Sequence, residues 1–441
     1  MRKQTFLFFK IAATFLVCFV LLQGVRKSLP IVRSKESFRS AFPVEKFLAK
    51  ISMPIPSWVQ NQIERDLSFF LDSELGAEAI YQTHLHILDK IGKGASFYHY
   101  RILDRKLYKW VPDGERLAYV DTALEKALKT LLIYAPVPDV DFILSSMDGV
   151  PEPYMPENFF LVEDSRLQAP ILAQAKRNHS STSCVVLIPD QFSLHPNWGK
   201  LSEEIIQCSQ KILWEAKKEI AVWRGGLTDM GVPNGFPVFD LLSCPRFQIA
   251  KCSCLSPFLV DAGITWGSAP QGGRLEEEGV LRGALSQEEH LAYKYLPVLD
   301  GHMCTYPGYQ WRLLSNSAAF KQDSDQIQWF YGELQPYVHY VPVAHDMSDL
   351  AEKVIWAKSH DAEVLEIMKR AQMFAVRNLM LEDNYAYLFH VLKRLAEIEV
   401  IDFQKLKEDT GSDPHWKCIQ YRKRLSLQKS LRKISKILFR S

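Results

Sequence analysis

The sequence predicts an α/β protein built from two Rossmann-like lobes. Three observations predict it. Short apolar runs with strand character alternate with segments of helical periodicity, the pattern of a largely parallel sheet with helices packed on it. Two such series lie on either side of about residue 200. The chain has 441 residues, 47% of them hydrophobic and 24% charged, which allows two or three packed domains and excludes a disordered chain.

The elements follow in order. Phe6 to Leu22 is apolar, interrupted by Lys10 and Thr14. It is short against the ~20 residues that cross a bilayer, although Lys10 can snorkel. No small-x-small cleavage site follows Leu22. Residues 1–27 are therefore read as an uncleaved anchor or membrane-dipping helix; a cleaved signal and a soluble apolar helix are the alternatives. Residues 28–200 form the first lobe. Its start, Ser57 to Leu132, reads as largely helical, with Val59, Ile63, Leu67 and Leu71 four residues apart. Phe142–Leu144 reads as a buried strand ending in the turn Ser145–Gly149, and Val185–Ile188 as a strand stopped by Pro189-Asp190.

Residues 201–375 form the second lobe. Leu201–Glu219 reads as a helix, and Ile220–Trp223 as a strand running into Arg224-Gly225-Gly226. A helix around Gln287–Tyr293, a strand at Tyr295–Leu299, a helix at Gln310–Leu314, and strands at Ala318–Lys321 and Val338–Val343 complete the alternation. Leu350–Ala357 and Ala362–Leu395 read as helices, the second long enough to be two. Residues 376–441 carry the C-terminal helices. In the tail, Leu427, Leu431, Ile434 and Leu438 line one helical face, with Lys429, Arg432, Lys433, Lys436 and Arg440 around the rest. Such a basic amphipathic helix suits an anionic membrane surface or a docked terminal helix.

Charge is nearly balanced, 53 basic against 51 acidic residues, but unevenly placed. The first 27 residues carry five bases and residues 417–441 carry nine, with no acid in either, so an acidic body lies between two basic ends. An acidic body excludes nucleic-acid binding through bulk charge. The basic ends point to a membrane surface. Eight cysteines suggest no disulfide framework, and the one-residue gap between Cys252 and Cys254 is not a zinc spacing.

Candidate chemistry gathers at strand exits. Trp223-Arg224-Gly225-Gly226-Leu227-Thr228 ends a buried strand. Its glycines would let a ligand approach the backbone, Arg224 offers a fork suited to a diphosphate, and Thr228 adds a hydroxyl. A tight turn with a surface arginine fits the same residues. Asp148 ends another strand, as a general base facing a crevice or as a turn former. Arg312 sits on a helix's last turn, followed by Ser315, Asn316 and Ser317 as possible donors to a nucleotide. Asp139 and Asp141 have an Asp-x-Asp spacing, which their place in a strand entry makes a poor metal motif.

Three blocks in order carry a resemblance: Ala221–Thr228, Tyr306–Ser317, and Trp329-Phe330-Tyr331 through Leu334–Val343, followed by Asp349-Leu350 and Trp356. Over roughly residues 135–395 the chain resembles the capsule-associated and protein O-glucosyltransferase family, glycosyltransferase family 90. The resemblance implies a glycosyltransferase B-type fold. The second lobe would hold a uridine-diphosphate sugar, and the first would face the acceptor. It implies inverting transfer of glucose or xylose to a hydroxyl, with no cofactor and no metal. Asp148 carries over as the base, Arg224, Gly225, Gly226 and Thr228 as diphosphate contacts, and Arg312, Ser315, Asn316 and Ser317 as the far side of the nucleotide site. After Asp148 the chain has Gly149-Val150-Pro151 where eukaryotic members have an aromatic residue and a proline. It also ends Leu438–Ser441, without a lumenal retention signal. These departures favour a glycan or glycolipid acceptor at a membrane surface, with the body in the cytoplasm, over serine of a protein.

Overall fold

A computed structural model of the chain describes residues 42–71, 74–91, 97–112, 123–148, 161–178, 184–227, 241–265 and 272–419. The described residues from Pro43 onward form one compact unit, the second of the two into which the chain divides. Two main sheets organise this second unit.

The first sheet has the order β13-β2-β1-β3-β4-β6. Its strands are β1 (Phe97–Leu103), β2 (Lys106–Trp110), β3 (Val140–Ser145), β4 (Ile171–Ala173), β6 (Val185–Leu187) and β13 (Trp416–Cys418). One half is antiparallel: β1 pairs with both β2 and β3, and β13 pairs with β2. The other half, β3-β4-β6, is parallel. The β1–β2 hairpin lies inside the stretch expected to be helical. Its two-residue turn, Asp104-Arg105, has positive φ at both positions, 48° and 60°, the conformation a tight hairpin demands. Asp-Arg lacks the glycine that usually announces such a turn, which hid the hairpin in the sequence.

The second sheet is parallel throughout, in the order β12-β10-β9-β7-β8. It comprises β7 (Lys218–Gly225), β8 (Val260–Ile264), β9 (Tyr293–Val298), β10 (Ala318–Gln322) and β12 (Val341–Val343). In chain order this is the doubly wound 2-1-3-4-5 arrangement. Its direction of winding reverses between β7 and β9, and sheets of this kind take ligands at such a point, outside the carboxyl ends of the strands. The Leu201–Glu219 helix expectation is adjusted: the helix runs Pro196–Ser209, and β7 already begins at Lys218. His195 caps that helix, accepting from Asn197 N at 3.2 Å.

The sheets are joined in three ways. A two-stranded antiparallel ribbon pairs β5 (Lys176–Arg177), just after β4, with β11 (Gln326–Ile327), just after β10. The helix Pro196–Ser209 packs against both Gly308–Leu314 and Leu381–Ile398. The helix Leu381–Ile398 in turn packs on β3, and the chain then supplies β13 to the first sheet. Beneath the ribbon Lys176 Nζ bonds the buried Asp66 at 2.7 Å, and Asp66 also accepts from Leu187 N at 3.0 Å.

The expectation of a transmembrane helix and a membrane-associated body is corrected. No helix among the described residues is long and apolar enough to cross a membrane. The longest, Asp361–Asn378 and Leu381–Ile398, have 18 residues each and are studded with charges. Such charges are costly in hydrocarbon. The apolar stretch Phe6–Leu22 and the basic tail from Tyr421 lie outside the described residues.

Lys176→Met leaves Asp66 buried beside one backbone donor. It is expected to lower stability by about 3–5 kcal/mol, the usual cost of stranding a buried charge. Urea unfolding of the full chain checks this.

Candidate active site

Parallel strands deliver their loops to one end, so the residues just beyond β3, β4 and β6 share a wall. They are Asp148, Gln174 and Asp190. Asp148 is exposed, three residues beyond the end of β3. Asp190 is fully buried. Its carboxylate accepts from Phe192 N at 3.0 Å, Ser193 N at 2.9 Å and Ser193 Oγ at 2.8 Å. The fourth donor comes from the other lobe: Gln310 Nε2, at 2.7 Å. Burial outweighs these donors and raises the Asp190 pKa.

The opposite wall is the switch point of the second sheet. Gly225-Gly226 ends β7, and Asp300-Gly301 follows β9. Arg246, in the first turn of the helix Pro245–Leu255, spans the two strand ends. Its Nε donates to Asp300 O at 2.7 Å and its Nη1 to Gly226 O at 2.9 Å. The Asp300 carboxylate is buried, with neither oxygen hydrogen-bonded and Lys321 Nζ 3.8 Å away. Arg312 is 6% exposed, and no carboxylate of the described residues pairs with it. Its Nη1 folds back to Gly308 O at 2.8 Å, and its Nε has no partner. Gly308 permits this fold, because a Cβ there would lie 3.2 Å from Arg312 Nη1 and 2.3 Å from Thr305 Oγ1. Burial first, and the neighbouring Arg246 second, lower the Arg312 pKa to about 9. A buried cation repelled by a second cation has the electrostatics of an anion site awaiting its anion.

Tyr306 stands between the walls. It packs against Ala175 of the first lobe and Met303 and Cys304 of the second, and its ring stacks on Phe192 at 6.3 Å. Its hydroxyl is buried without a partner. Burial, then Cys304, Asp148, Asp190 and Asp300, raise its pKa well above the usual phenol value. Carboxylates from both lobes therefore act on one hydroxyl.

The expected site residues fare differently. Asp148, Gly225 and Gly226 lie at strand exits; Arg312 is in the last turn of the helix Gly308–Leu314, with its guanidinium folded back toward Gly308 and near Arg246. Thr228 lies outside the described residues. Arg224 sits at the β7 exit, but its guanidinium is already engaged. It pairs with Asp261 Oδ1 at 2.7 Å and donates to Asp261 O, Trp223 O and Gly283 O at 2.7, 3.0 and 3.1 Å. Gly225 is glycine because a Cβ would meet the Trp223 ring at 2.4 Å, a reason internal to the protein.

Ser315, Asn316 and Ser317 precede β10 and so lie at the amino ends of the second sheet, away from the crevice. Their groups serve the protein. Asn316 Nδ2 donates to Ser209 O and Ile212 O, both at 2.7 Å. Ser315 Oγ donates to Arg312 O at 2.7 Å, and Ser317 Oγ to Tyr293 O at 2.7 Å. The expectation that they meet a nucleotide is set against these internal bonds. Asp139 and Asp141 are likewise occupied, Asp139 with Lys407 at 3.0 Å and Asp141 with the buried His99 and Arg101. Arg246, Asp190, Asp300 and Tyr306 were missed as site residues. An aspartate directly after an apolar strand was the readable signal for Asp190 and Asp300.

Comparison with known proteins decides the family. The model described as Glycosyl transferase family 90 matches residues 55–436. The chain belongs to glycosyl transferase family 90. It is 26% identical to Protein O-glucosyltransferase 2 of Danio rerio over 77% of this chain and 62% of that one. It is 38% identical to Protein O-glucosyltransferase 3 of Homo sapiens over 34% of this chain and 29% of that one. The family 90 chain thus spans about three fifths of the first relative and under a third of the second is matched. A structure of Anabaena Alr3699/HepE in complex with UDP and glucose overlaps 53% of this chain and 63% of its own, at 10% identity and a TM-score of 0.33.

Asn316→Ala removes two hydrogen bonds that tie the segment before β10 to the end of the helix Pro196–Ser209 and to Ile212. It is expected to cost about 1–3 kcal/mol of stability while leaving affinity for UDP within about twofold. Thermal melting and calorimetric titration of the same sample check both parts.

Proposed function

We propose that the chain is a UDP-sugar-dependent glycosyltransferase. It moves glucose or xylose to a hydroxyl of a glycan or glycolipid in a single inverting displacement, on a glycosyltransferase B-type scaffold. The observation that carries this reading is the pairing of unlike walls. An exposed carboxylate, Asp148, stands on one lobe, and Arg312, a buried cation with no carboxylate partner among the described residues, stands on the other with Arg246 beside it.

The chemistry divides along the same line. The acceptor hydroxyl lies between Asp148 and the anomeric carbon. Asp148 takes its proton as the oxygen attacks. The bond from the anomeric carbon to the diphosphate breaks on the opposite face. Arg246 and Arg312 stabilise the negative charge that grows on the departing diphosphate, in a site already desolvated and so strongly responsive. Arg224 supports this by holding the β7 exit in place through Asp261. Charge stabilisation is thus assigned to guanidinium groups, and transfer should survive a divalent-metal chelator.

A second acceptor reading, serine of a protein domain, is favoured by one observation: the matched relatives are named protein O-glucosyltransferases. An acceptor panel of glycolipids, oligosaccharides and small folded domains separates the two.

Asp148→Asn is expected to lower transfer by about a thousandfold or more, with UDP affinity kept within a few-fold. Arg312→Met is expected to weaken UDP binding about tenfold or more, the worth of a charge-assisted contact. UDP release assays and calorimetry read these effects. Near-normal turnover in Asp148→Asn contradicts the base assignment.

A further inference from the structure

Gln174 has no part in the reaction as described, yet it is fully buried at the carboxyl end of β4, between the loops of β3 and β6. Its amide makes two short bonds. Nε2 donates to Met147 O at 2.6 Å, and Oε1 accepts from Gln191 N at 2.6 Å. Only one orientation of the amide serves both partners, because one is a carbonyl and the other an N–H.

The partners matter more than the bonds. Met147 directly precedes Asp148. Gln191 directly follows Asp190, whose carboxylate is bonded across the crevice to Gln310 of the second lobe at 2.7 Å. Gln191 also directly precedes Phe192, whose ring stacks on Tyr306 of the second lobe. A chain of contacts therefore runs from the Asp148 loop through Gln174 to the groups that fix one lobe against the other. Met147 N has one further tether, a weak 3.3 Å contact to Ser145 Oγ.

We propose that Gln174 is a positioning residue for sugar transfer, setting Asp148 in register with the second lobe through Met147 on one side and Gln191 on the other. This rests on the reading of Asp148 as the base. Gln174 touches neither reacting atom. Its contribution is geometric: a base misplaced by about 1 Å loses up to roughly a hundredfold in rate.

The test uses the full chain and its release of UDP from UDP-glucose or UDP-xylose, water serving as acceptor, between pH 5 and 8. Gln174→Met removes both bonds. It should lower kcat about 10- to 100-fold and leave the donor KM within about twofold. Gln174→Glu provides a version that keeps the side chain's shape. Its carboxyl would be buried near Asp148, Asp190 and Tyr306, and burial and like charge both raise its pKa. Below that pKa the protonated carboxyl donates to Met147 O and accepts from Gln191 N, as the amide does. Above it, the carboxylate repels the carbonyl. The turnover of Gln174→Glu, divided by that of wild type at the same pH, should thus climb toward one as pH falls. The division removes the pH dependence that the two enzymes share.

A ratio that stays flat with pH, at wild-type or reduced level, overturns the proposal, and so does a loss confined to KM. If Gln174→Met fails to fold, the ratio for Gln174→Glu still decides. Asp148→Asn separates the two levels of the argument. If Asp148→Asn is inactive while the Gln174→Glu ratio is flat, only the positioning role falls. If Asp148→Asn keeps turnover, or wild type has none, the base assignment falls and the positioning role with it.

Discussion

The hydrogen bond from Gln310 to Asp190 is the contact on which the site's geometry depends. It is buried, it joins the lobes, and it ends on a carboxylate that also organises its own loop through Phe192 and Ser193. Losing it would take one of four donors from a buried carboxylate and remove a buried link between the two sheets. The β5–β11 ribbon supports it from the edge, pairing the segments that follow β4 and β10. The loop after β6 meets the segment after β9 through Asp190–Gln310 and Phe192–Tyr306. The two contacts fix how those segments meet.

The electrostatics follow from the same arrangement. The first lobe brings Asp148 and Asp190 to the crevice, and the second brings Asp300, which has Lys321 3.8 Å away, together with the guanidinium groups of Arg246 and Arg312. Most other charges nearby are balanced inside the protein: Arg224 by Asp261, Lys176 by Asp66, Asp139 by Lys407. The imbalance at Arg312 is therefore local. A buried cation that lacks a partner is costly, and proteins keep such groups where a ligand completes them.

The alternation of strands and helices was legible because buried parallel strands read as short apolar runs, as in Val185–Leu187 and Ala221–Trp223. The β1–β2 hairpin was not, because its turn uses Asp104-Arg105 rather than a glycine. Asp148 and Arg312 could be picked out as strand-exit and helix-end residues. Ser315–Ser317 looked equally suitable, since a row of hydroxyls and an amide has the same sequence signature at either end of a parallel sheet. Only the topology tells the amino end from the carboxyl end. Arg246 and Gln174 were hidden for a different reason. Each works by bridging two loops distant in sequence, Gly226 with Asp300 and Met147 with Gln191, and no local pattern announces a bridge.

A crystal structure of the full chain with UDP decides whether the second lobe's switch point holds the leaving diphosphate opposite Asp148. The diphosphate is expected against Arg246 and Arg312, at the carboxyl ends of β7 and β9, with its sugar-bearing end turned toward Asp148. A diphosphate bound elsewhere, such as beside Ser315–Ser317 at the amino ends of the sheet, would contradict this placement.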